Sequence, residues 1–422
     1  MHSVRISPSV LHGTVSVPPS KSAAHRAVIC GALSRGKSII APIEESNDIK
    51  ATIECMKRLG ADINLSGKIL TVDGSNIFNN KKAELDCGES GSTLRFLIPV
   101  AAAGGIETVF TGRGKLPERP IGVYTDCLPQ KGVSCITEGG LPLNTAGQLQ
   151  SGVYEVPGNV SSQFITGLML ALPLLPGDSD IILTSPLQSA GYIDMTRDIM
   201  KSFGVTVDVT DKGWHIPGGQ SYCPQNFTVE GDWSQAAFFM TAAALGGTIT
   251  IDNLSMSSCQ GDKACVEIYR RLGASVEEKD GNIIISPGKL RGQTIDARDI
   301  PDMVPALSAA AALAEGTTVI KGAARLRIKE CDRLRAMTDG LGRLGADITE
   351  TEDGLIINGV PELSGGKAEG YNDHRIVMSL AAAAVKSRGD IIISDMESIN
   401  KSYPSFFEDY RSLGGKADVI MG

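Results

Sequence analysis

The chain has 422 residues, of which 42% are hydrophobic and only 5% aromatic, with a formal net charge of −8. That length supplies two or three domains whose cores must rest on Ala, Val, Ile and Leu. The acidic balance argues against non-specific nucleic-acid binding, no apolar run is long enough for a membrane span, and the N-terminus lacks the apolar region of a signal peptide.

The first predicted element is a strand over Thr14–Val17, followed by Pro18-Pro-Ser-Lys-Ser22 and a helix rich in small apolar residues. The same construction recurs at Ser90-Gly-Ser92, Val160-Ser-Ser-Gln163, Asp232-Trp-Ser234, Ile300-Pro-Asp302 and Asn372-Asp-His-Arg375. It is fullest at Leu85–Arg95, where an alternating segment runs into Gly88 and Gly91, and Ser90, Ser92 and Thr93 offer helix-capping oxygens. Such a strand–turn–helix start directs backbone N–H groups outward and suits a phosphate or carboxylate. Further predicted strands are Thr108–Phe110, Val153–Val156, Ile181–Leu183, Phe227–Glu230, Thr248–Ile251, Thr318–Ile320 and Ile391–Ile393. The runs Ala306–Ala314 and Leu380–Val385 are apolar nearly all round and predict buried helices. Pro99, Pro173 and Pro305 are expected to interrupt three of the helices.

A second helix in each unit ends on a Leu-Gly-Ala-like signature whose central residues are Gly60, Gly132, Gly204, Gly273, Gly345 and Gly414, spaced 72, 72, 69, 72 and 69 residues apart. A glycine there fits a left-handed helix terminus. The spacing establishes a six-fold repeat, each unit reading strand–helix–strand–helix–strand–strand. The fold class is therefore α/β (α+β), divided three units and three, with the crossover near Asn226–Asp232.

Nine cysteines without a C-x-x-C pair indicate reduced thiols and a cytoplasmic protein, and five histidines in no ligand-spaced cluster argue against a metal site. Basic residues gather beside the repeat starts, at Lys21, Arg26, Arg95 and Arg375, and in the loops Gly112–Pro120, Arg327–Arg333 and Asn400–Pro404. Arg beside a helix start suits a bidentate grip on phosphate and carboxylate. Several of these residues have ordinary roles as well. Ser161 and Asp302 can cap helices, Glu330 and Asp332 can pair with Arg327 or Arg333, and Tyr192 can simply pack.

In order along the chain stand P-P-S-K-S-x-x-x-R (Pro18–Arg26), G-x-S-G-S-T-x-R (Gly88–Arg95), E-R-P-I (Glu118–Ile121), S-S-Q-F (Ser161–Phe164) and S-x-x-Y-I-D (Ser189–Asp194). They are followed by E-G-D (Glu230–Asp232), I-P-D (Ile300–Asp302), K-E-x-D-R-L (Lys329–Leu334), N-D-H-R (Asn372–Arg375) and K-x-x-P-x-F (Lys401–Phe406). Together with the repeat, this series resembles the 5-enolpyruvylshikimate-3-phosphate (EPSP) synthase family over essentially the whole chain. The resemblance implies two globular domains of three βαβαββ units each, helices inside and sheets outside. Residues 13–228 would form one, residues 1–12 with 229–422 the other, and the active site would lie in the cleft between them. It implies transfer of the enolpyruvyl group of phosphoenolpyruvate to the 5-hydroxyl of shikimate 3-phosphate, without metal or cofactor, in a monomer. Matching positions imply that Lys21, Ser22, Arg26, Ser161, Ser162, Gln163, Ser189, Asp302 and Lys329 bind shikimate 3-phosphate, with Tyr192 near its ring. Lys21, Gly91, Arg119, Gln163, Arg333, Arg375 and Lys401 would hold phosphoenolpyruvate, and Asp302 and Glu330 would be the acid/base carboxylates. Glyphosate would compete with phosphoenolpyruvate.

Glu89, Arg325 and Ala190-Gly191 depart from the family pattern of Asn, Asn and Lys-Pro. The related UDP-N-acetylglucosamine enolpyruvyl transferases carry a reactive Cys in the loop that here, at Gly112–Pro120, holds none. RNA 3′-phosphate cyclase shares the repeat but needs a nucleotide-bound His and a basic face. A non-catalytic anion binder would have no use for Asp302 and Glu330 amid anions.

Overall fold

The computed structural model describes residues His2–Met421, and among these the strands form six four-stranded sheets. The chain divides into a continuous unit, Pro19–Val229, and a discontinuous one that joins the residues up to Pro18 with those from Glu230 onward. The continuous unit carries helices Lys21–Leu33 (α1), Asn47–Arg58 (α2), Gly91–Ala103 (α3), Gly122–Cys127 (α4), Ser162–Ala171 (α5) and Ala190–Ser202 (α6). The discontinuous unit carries Trp233–Leu245 (α7), Cys265–Leu272 (α8), Val304–Ala311 (α9), Arg333–Arg343 (α10), His374–Ala383 (α11) and Phe406–Ser412 (α12).

The first helix of each repeat is buried nearly all round, as its small-residue composition requires. Every residue of α9 and α11 is buried, as is α7 from Trp233 to Ala244. These three pack on one another, and α3 packs on α5; Ala at the contacts lets the backbones approach closely. The second helices bury one face only: α2 turns Ile49, Ile53 and Met56 inward, and α8 turns Val266, Tyr269 and Leu272. Each unit thus has its own core, and truncating a fully buried Leu such as Leu97 or Leu307 would cost about 2–5 kcal/mol.

Within a sheet the strand before the first helix runs parallel to the strand after it, and a hairpin from the end of the repeat adds antiparallel. Lys82–Asp86 lies parallel to Glu107–Thr111, which pairs with Leu143–Gly147 and that in turn with Val133–Ile136. Two sheets are completed by exchange. Gly13–Ser16, just before α1, pairs with Ile249–Asp252 in the register Gly13↔Ile249, while Asn226–Thr228, just before α7, pairs with Lys37–Ala41. Residues 13–18 therefore go with the discontinuous unit, and the division falls after Pro18 rather than at residue 13. His2–Ser7 fills the place of the missing hairpin strand in the last repeat, between Ile391–Ile393 and Lys416–Met421.

All six glycines of the repeat signature have φ between 81° and 115°. A β-carbon on Gly60 would stand 2.4 Å from the Asn76 carbonyl oxygen, and one on Gly273 2.3 Å from that of Lys289. Both the dihedral and the close approach require glycine. Of the three prolines expected to break helices, only Pro99 lies in a helix beyond its first turn. Pro305 occupies the first turn of α9, where no intrahelical N–H is lost, and Pro173 lies in the 3-10 turn after α5. Among the described residues no helix is long and apolar enough to cross a membrane.

Candidate active site

Five of the six repeat starts are capped by the Ser or Asp that marks them: Ser20 on α1, Ser90 on α3, Ser161 on α5, Asp232 on α7 and Asp373 on α11. Residues that follow a cap are held in the first helical turn, and Lys21, Ser22, Gly91, Ser162 and Gln163 among the predicted ligand-binding residues of the continuous unit stand there. Lys21 directly follows the Ser20 cap, and its Nζ lies 2.7 Å from Asp48 Oδ2 in the first turn of α2, with both side chains largely buried. Gln163 follows the Ser161 cap and the buried Ser162. Its Oε1 accepts from Arg95 Nη1 at 2.6 Å and its Nε2 donates to Ser92 Oγ at 3.0 Å, which fixes the amide orientation. Arg95 also donates from Nε and Nη2 to the Pro120 carbonyl and lies over the Phe164 ring, 5.0 Å from its centre. The starts of α3 and α5 and the Glu118–Ile121 loop are thereby tied together.

The Arg119 guanidinium lies against the start of α3. A β-carbon on Gly91 would stand 2.7–2.8 Å from its Nη1, Cζ and Nη2, so glycine is what lets the guanidinium in. Glu89, on the same turn, lies against Gly114 of the Gly112–Pro120 loop, where a β-carbon would meet its Oε2 at 2.3 Å. Ser189 is buried with φ 59°, a left-handed conformation uncommon for a residue with a side chain, and its carbonyl accepts from Tyr192 N at 3.1 Å at the start of α6.

Arg26 differs from the other basic residues. It is 2% exposed and donates to Thr196 Oγ1, the Ser22 carbonyl, Thr166 Oγ1 and the Tyr192 carbonyl at 2.7, 2.6, 3.3 and 3.2 Å. It joins α1 to α5 and α6 from within the core. Burial pushes its pKa down to about 10, which leaves it charged at neutral pH.

In the discontinuous unit Asp302 does not cap α9. It stands in the 3-10 turn Pro301–Met303, and its carboxylate receives Arg333 Nη1 at 3.0 Å and Arg375 Nη2 at 3.1 Å, with Lys329 Nζ at 3.6 Å. Glu330 Oε2 takes Arg333 Nη2 at 2.7 Å. The neighbouring acid Asp332 turns away, capping α10 and pairing with Arg327 at 2.8 Å. Lys401 Nζ donates to the Asn372 carbonyl. A third carboxylate, which the sequence reading did not select, anchors the group. Asp373 is fully buried, accepts from Arg333 Nε at 2.7 Å and Nη2 at 3.3 Å, and caps α11 by accepting from Arg375 N at 2.9 Å. One carboxylate thus places both arginines. Its position immediately before Arg375 in N-D-H-R, where a helix needs a cap, was the available signal.

Burial alone would raise the pKa of Asp302, but Arg375, Lys329 and Arg333 outweigh it and hold the carboxyl well below its ordinary range. Burial alone would lower that of Arg333, but Asp373, Glu330 and Asp302 hold it well above the usual value. The cluster is a set of fixed cations, each paired with the cluster's own carboxylates. Among the described residues no group of three or more His, Cys, Asp or Glu side chains is placed to hold a metal ion.

The family model for EPSP synthase (3-phosphoshikimate 1-carboxyvinyltransferase) matches residues 6–410. The chain belongs to the EPSP synthase family. Among EPSP synthase relatives, the 3-phosphoshikimate 1-carboxyvinyltransferase of Clostridium perfringens is 48% identical over 419 residues, 98% of this chain and 99% of that protein. The enzyme of the same name from Clostridium kluyveri is 47% identical over 420 residues, 99% of each chain. The solved EPSP synthase of Acinetobacter baumannii matches with a TM-score of 0.84 at 30% identity and full coverage of both chains. The α/β enolpyruvyl transferase fold implied by the sequence resemblance is the fold observed.

Proposed function

We propose that this chain transfers the enolpyruvyl group of phosphoenolpyruvate to the 5-hydroxyl of shikimate 3-phosphate, as a 3-phosphoshikimate 1-carboxyvinyltransferase of the shikimate pathway. Beyond family membership, the observation that carries this reading is the cluster of buried Arg333 and Arg375 with the partly buried carboxylates of Asp302 and Glu330. Two substrates that each bear a phosphate and a carboxylate need cations fixed beforehand, and an addition–elimination needs an acid and a base beside them.

In the addition, the 5-hydroxyl oxygen bonds to C2 of phosphoenolpyruvate while its proton leaves and another is added at the methylene carbon. In the elimination, the methyl carbon gives up a proton, the double bond re-forms and phosphate departs. Asp302 takes the hydroxyl proton and Glu330 serves proton transfer at the methylene carbon. A carboxyl held as low as Asp302 is a weak base, but the cations that lower it are those that grip the anions. Once phosphate and carboxylate occupy Arg333, Arg375 and Lys329, their hold on Asp302 weakens and its basicity rises. Lys21, Ser22, Ser161, Ser162, Gln163, Ser189 and Lys329 hold shikimate 3-phosphate, while Arg26, with its donors engaged inside the protein, orients Ser22 and Tyr192. Lys21, Gly91, Arg119, Gln163, Arg333, Arg375 and Lys401 hold phosphoenolpyruvate. The working form is a cytoplasmic monomer that needs no cofactor and binds no nucleic acid; the nine free thiols suit a reducing compartment, and light scattering tests the mass. Phosphate release should require phosphoenolpyruvate with shikimate 3-phosphate. Release with UDP-N-acetylglucosamine in its place would refute the assignment.

A further inference from the structure

A chain of four buried polar side chains crosses the interior of the continuous unit, from α1 through α2 to the start of α3. His25 Nδ1 lies 2.7 Å from Thr52 Oγ1, Thr52 Oγ1 lies 2.7 Å from Thr93 Oγ1, and Thr93 Oγ1 donates to Ser90 Oγ at 2.7 Å. His25, Thr52 and Thr93 are fully buried and Ser90 is 1% exposed. Apolar residues of the same shape would pack there without the desolvation that hydroxyls and an imidazole incur, so the sequence carries polarity that the core does not need.

The donor order follows from the last link. Because the Thr93 hydroxyl gives its proton to Ser90, it must accept from Thr52. Thr52 has then used its own proton and must accept from His25. His25 therefore carries hydrogen on Nδ1, leaving as a bare acceptor the Nε2 that has no partner. The ring is neutral, since burial, then Lys21 and Arg26, hold its pKa well below the ordinary value. A neutral imidazole has one N–H, and the chain has one place for it.

Both ends of this chain reach residues assigned to ligand binding. Ser90 is the cap of α3, also accepting from Thr93 N at 3.2 Å, and Gly91, against which Arg119 lies, is the next residue. The Thr93 hydroxyl also lies 3.5 Å from the carbonyl of Asp48, whose carboxylate holds Lys21 at 2.7 Å, but its one proton goes to the nearer Ser90 Oγ. His25 itself sits one helical turn after Lys21.

We propose that His25, Thr52 and Thr93 are positioning residues for the reaction, a one-directional hydrogen-bond relay that holds the Ser90–Gly91–Ser92 turn in register with Lys21 and so sets the grip on phosphoenolpyruvate. The proposal rests on the functional reading above and deepens it. None of the three residues touches substrate. They act through Ser90.

The test compares isosteres in the full-length enzyme by steady-state kinetics in both substrates. Thr93→Val keeps the shape and removes the donor, and should raise KM for phosphoenolpyruvate about tenfold, as the loss of one buried hydrogen bond implies, with KM for shikimate 3-phosphate nearly unchanged. Thr93→Ser, which restores the hydroxyl, should restore KM. The deciding pair is His25→Asn against His25→Gln. Both remove the ring, but the Asn amide nitrogen falls near the place of Nδ1 and that of Gln near Nε2, so Asn should retain the parent KM and Gln should not. The pair keeps the question open to refutation even if Thr93→Val does not fold. Equal KM values for Asn and Gln, or a lowered melting temperature with both KM values unmoved, would overturn the relay. Absence of enolpyruvyl transfer in the parent enzyme would instead refute the functional assignment.

Discussion

Asp373→Asn separates the two tasks that one buried carboxylate performs. Asn caps helices as well as Asp, so the Oδ1 acceptor for Arg375 N survives, and what is lost is the charge and the Oδ2 acceptor beside Arg333. Removing one partner of a buried ion pair costs about 3–5 kcal/mol when the other charge is stranded. Arg333 is not stranded, because Asp302 at 3.0 Å and Glu330 at 2.7 Å remain. Oδ1 of Asn still accepts from Arg333 Nη2, now at 3.3 Å, but the amide nitrogen in place of Oδ2 is a donor, so the charge-assisted bond from Nε, now at 2.7 Å, is lost outright, or about 2–3 kcal/mol in all. In a unit of this size that lowers its melting temperature by roughly 4–12 °C. Asp373→Ala removes the cap too, which adds about 1 kcal/mol. Calorimetry of the three proteins, with KM for phosphoenolpyruvate measured alongside, gives the comparison: stability should fall in the order parent, Asn, Ala, and KM should rise already in Asn. If Asn matches the parent within about 0.5 kcal/mol while Ala does not, Asp373 is a cap alone and the charge does not hold Arg333.

Asp302→Asn and Glu330→Gln should each lower turnover by about 10²–10⁴-fold with substrate binding largely kept; a variant that keeps turnover and loses affinity has a positioning role instead. Because the folded pKa of Asp302 lies below its unfolded value near 4, its contribution to stability is complete above about pH 4 and is lost as pH falls through the folded value. Acid unfolding of Asp302→Asn should accordingly be shallower than that of the parent below about pH 4, and identical acid limbs would contradict the depressed pKa. Gly91→Ala drives a methyl into the Arg119 guanidinium and should raise Ki for glyphosate more than KM for phosphoenolpyruvate, because the longer inhibitor has less room to follow a displaced side chain; equal factors would refute this. Gly67→Ala, at φ 59° with open space around the new methyl, should cost about 1–2 kcal/mol, and Gly60→Ala clearly more because its β-carbon meets backbone at 2.4 Å; equal denaturation midpoints would show that the loop of Asn76 yields. Turnover should persist in excess chelator, and loss restored by a divalent ion would refute a metal-free reaction.

Local chemistry made much of this fold legible. A Ser or Asp ahead of an apolar run capped five of the six first helices, and the glycine after each second helix took the left-handed conformation. Legibility ended where partners lie far apart along the chain. Nothing near Gly13 shows that it pairs with Ile249, and nothing near Asp48 shows that it holds Lys21. Asp302 has the local signature of a cap, yet three cations drawn from distant segments claim its carboxylate instead. Arg26 looks like its basic neighbours in sequence, and only its burial among Thr166, Thr196 and the Tyr192 carbonyl separates it from them.

The exchanged strands have a consequence for synthesis on the ribosome. Pro19–Val229 can complete its sheets and core once its last strand, Asn226–Thr228, has emerged. The strands His2–Ser7 and Gly13–Ser16 are made before any of it, but their partners are Ile249–Asp252, Ile391–Ile393 and Lys416–Met421. At about 5–20 residues per second, the span from Glu230 to Met421 takes on the order of 10–40 s to synthesise. For that time the nascent chain trails His2–Ser7 with open hydrogen-bonding edges, whereas Gly13–Ser16 waits only until Ile249–Asp252 has been made. Vectorial synthesis therefore builds the two units in turn, and leaves this N-terminal stretch exposed to a holding chaperone or to pairing with another nascent chain.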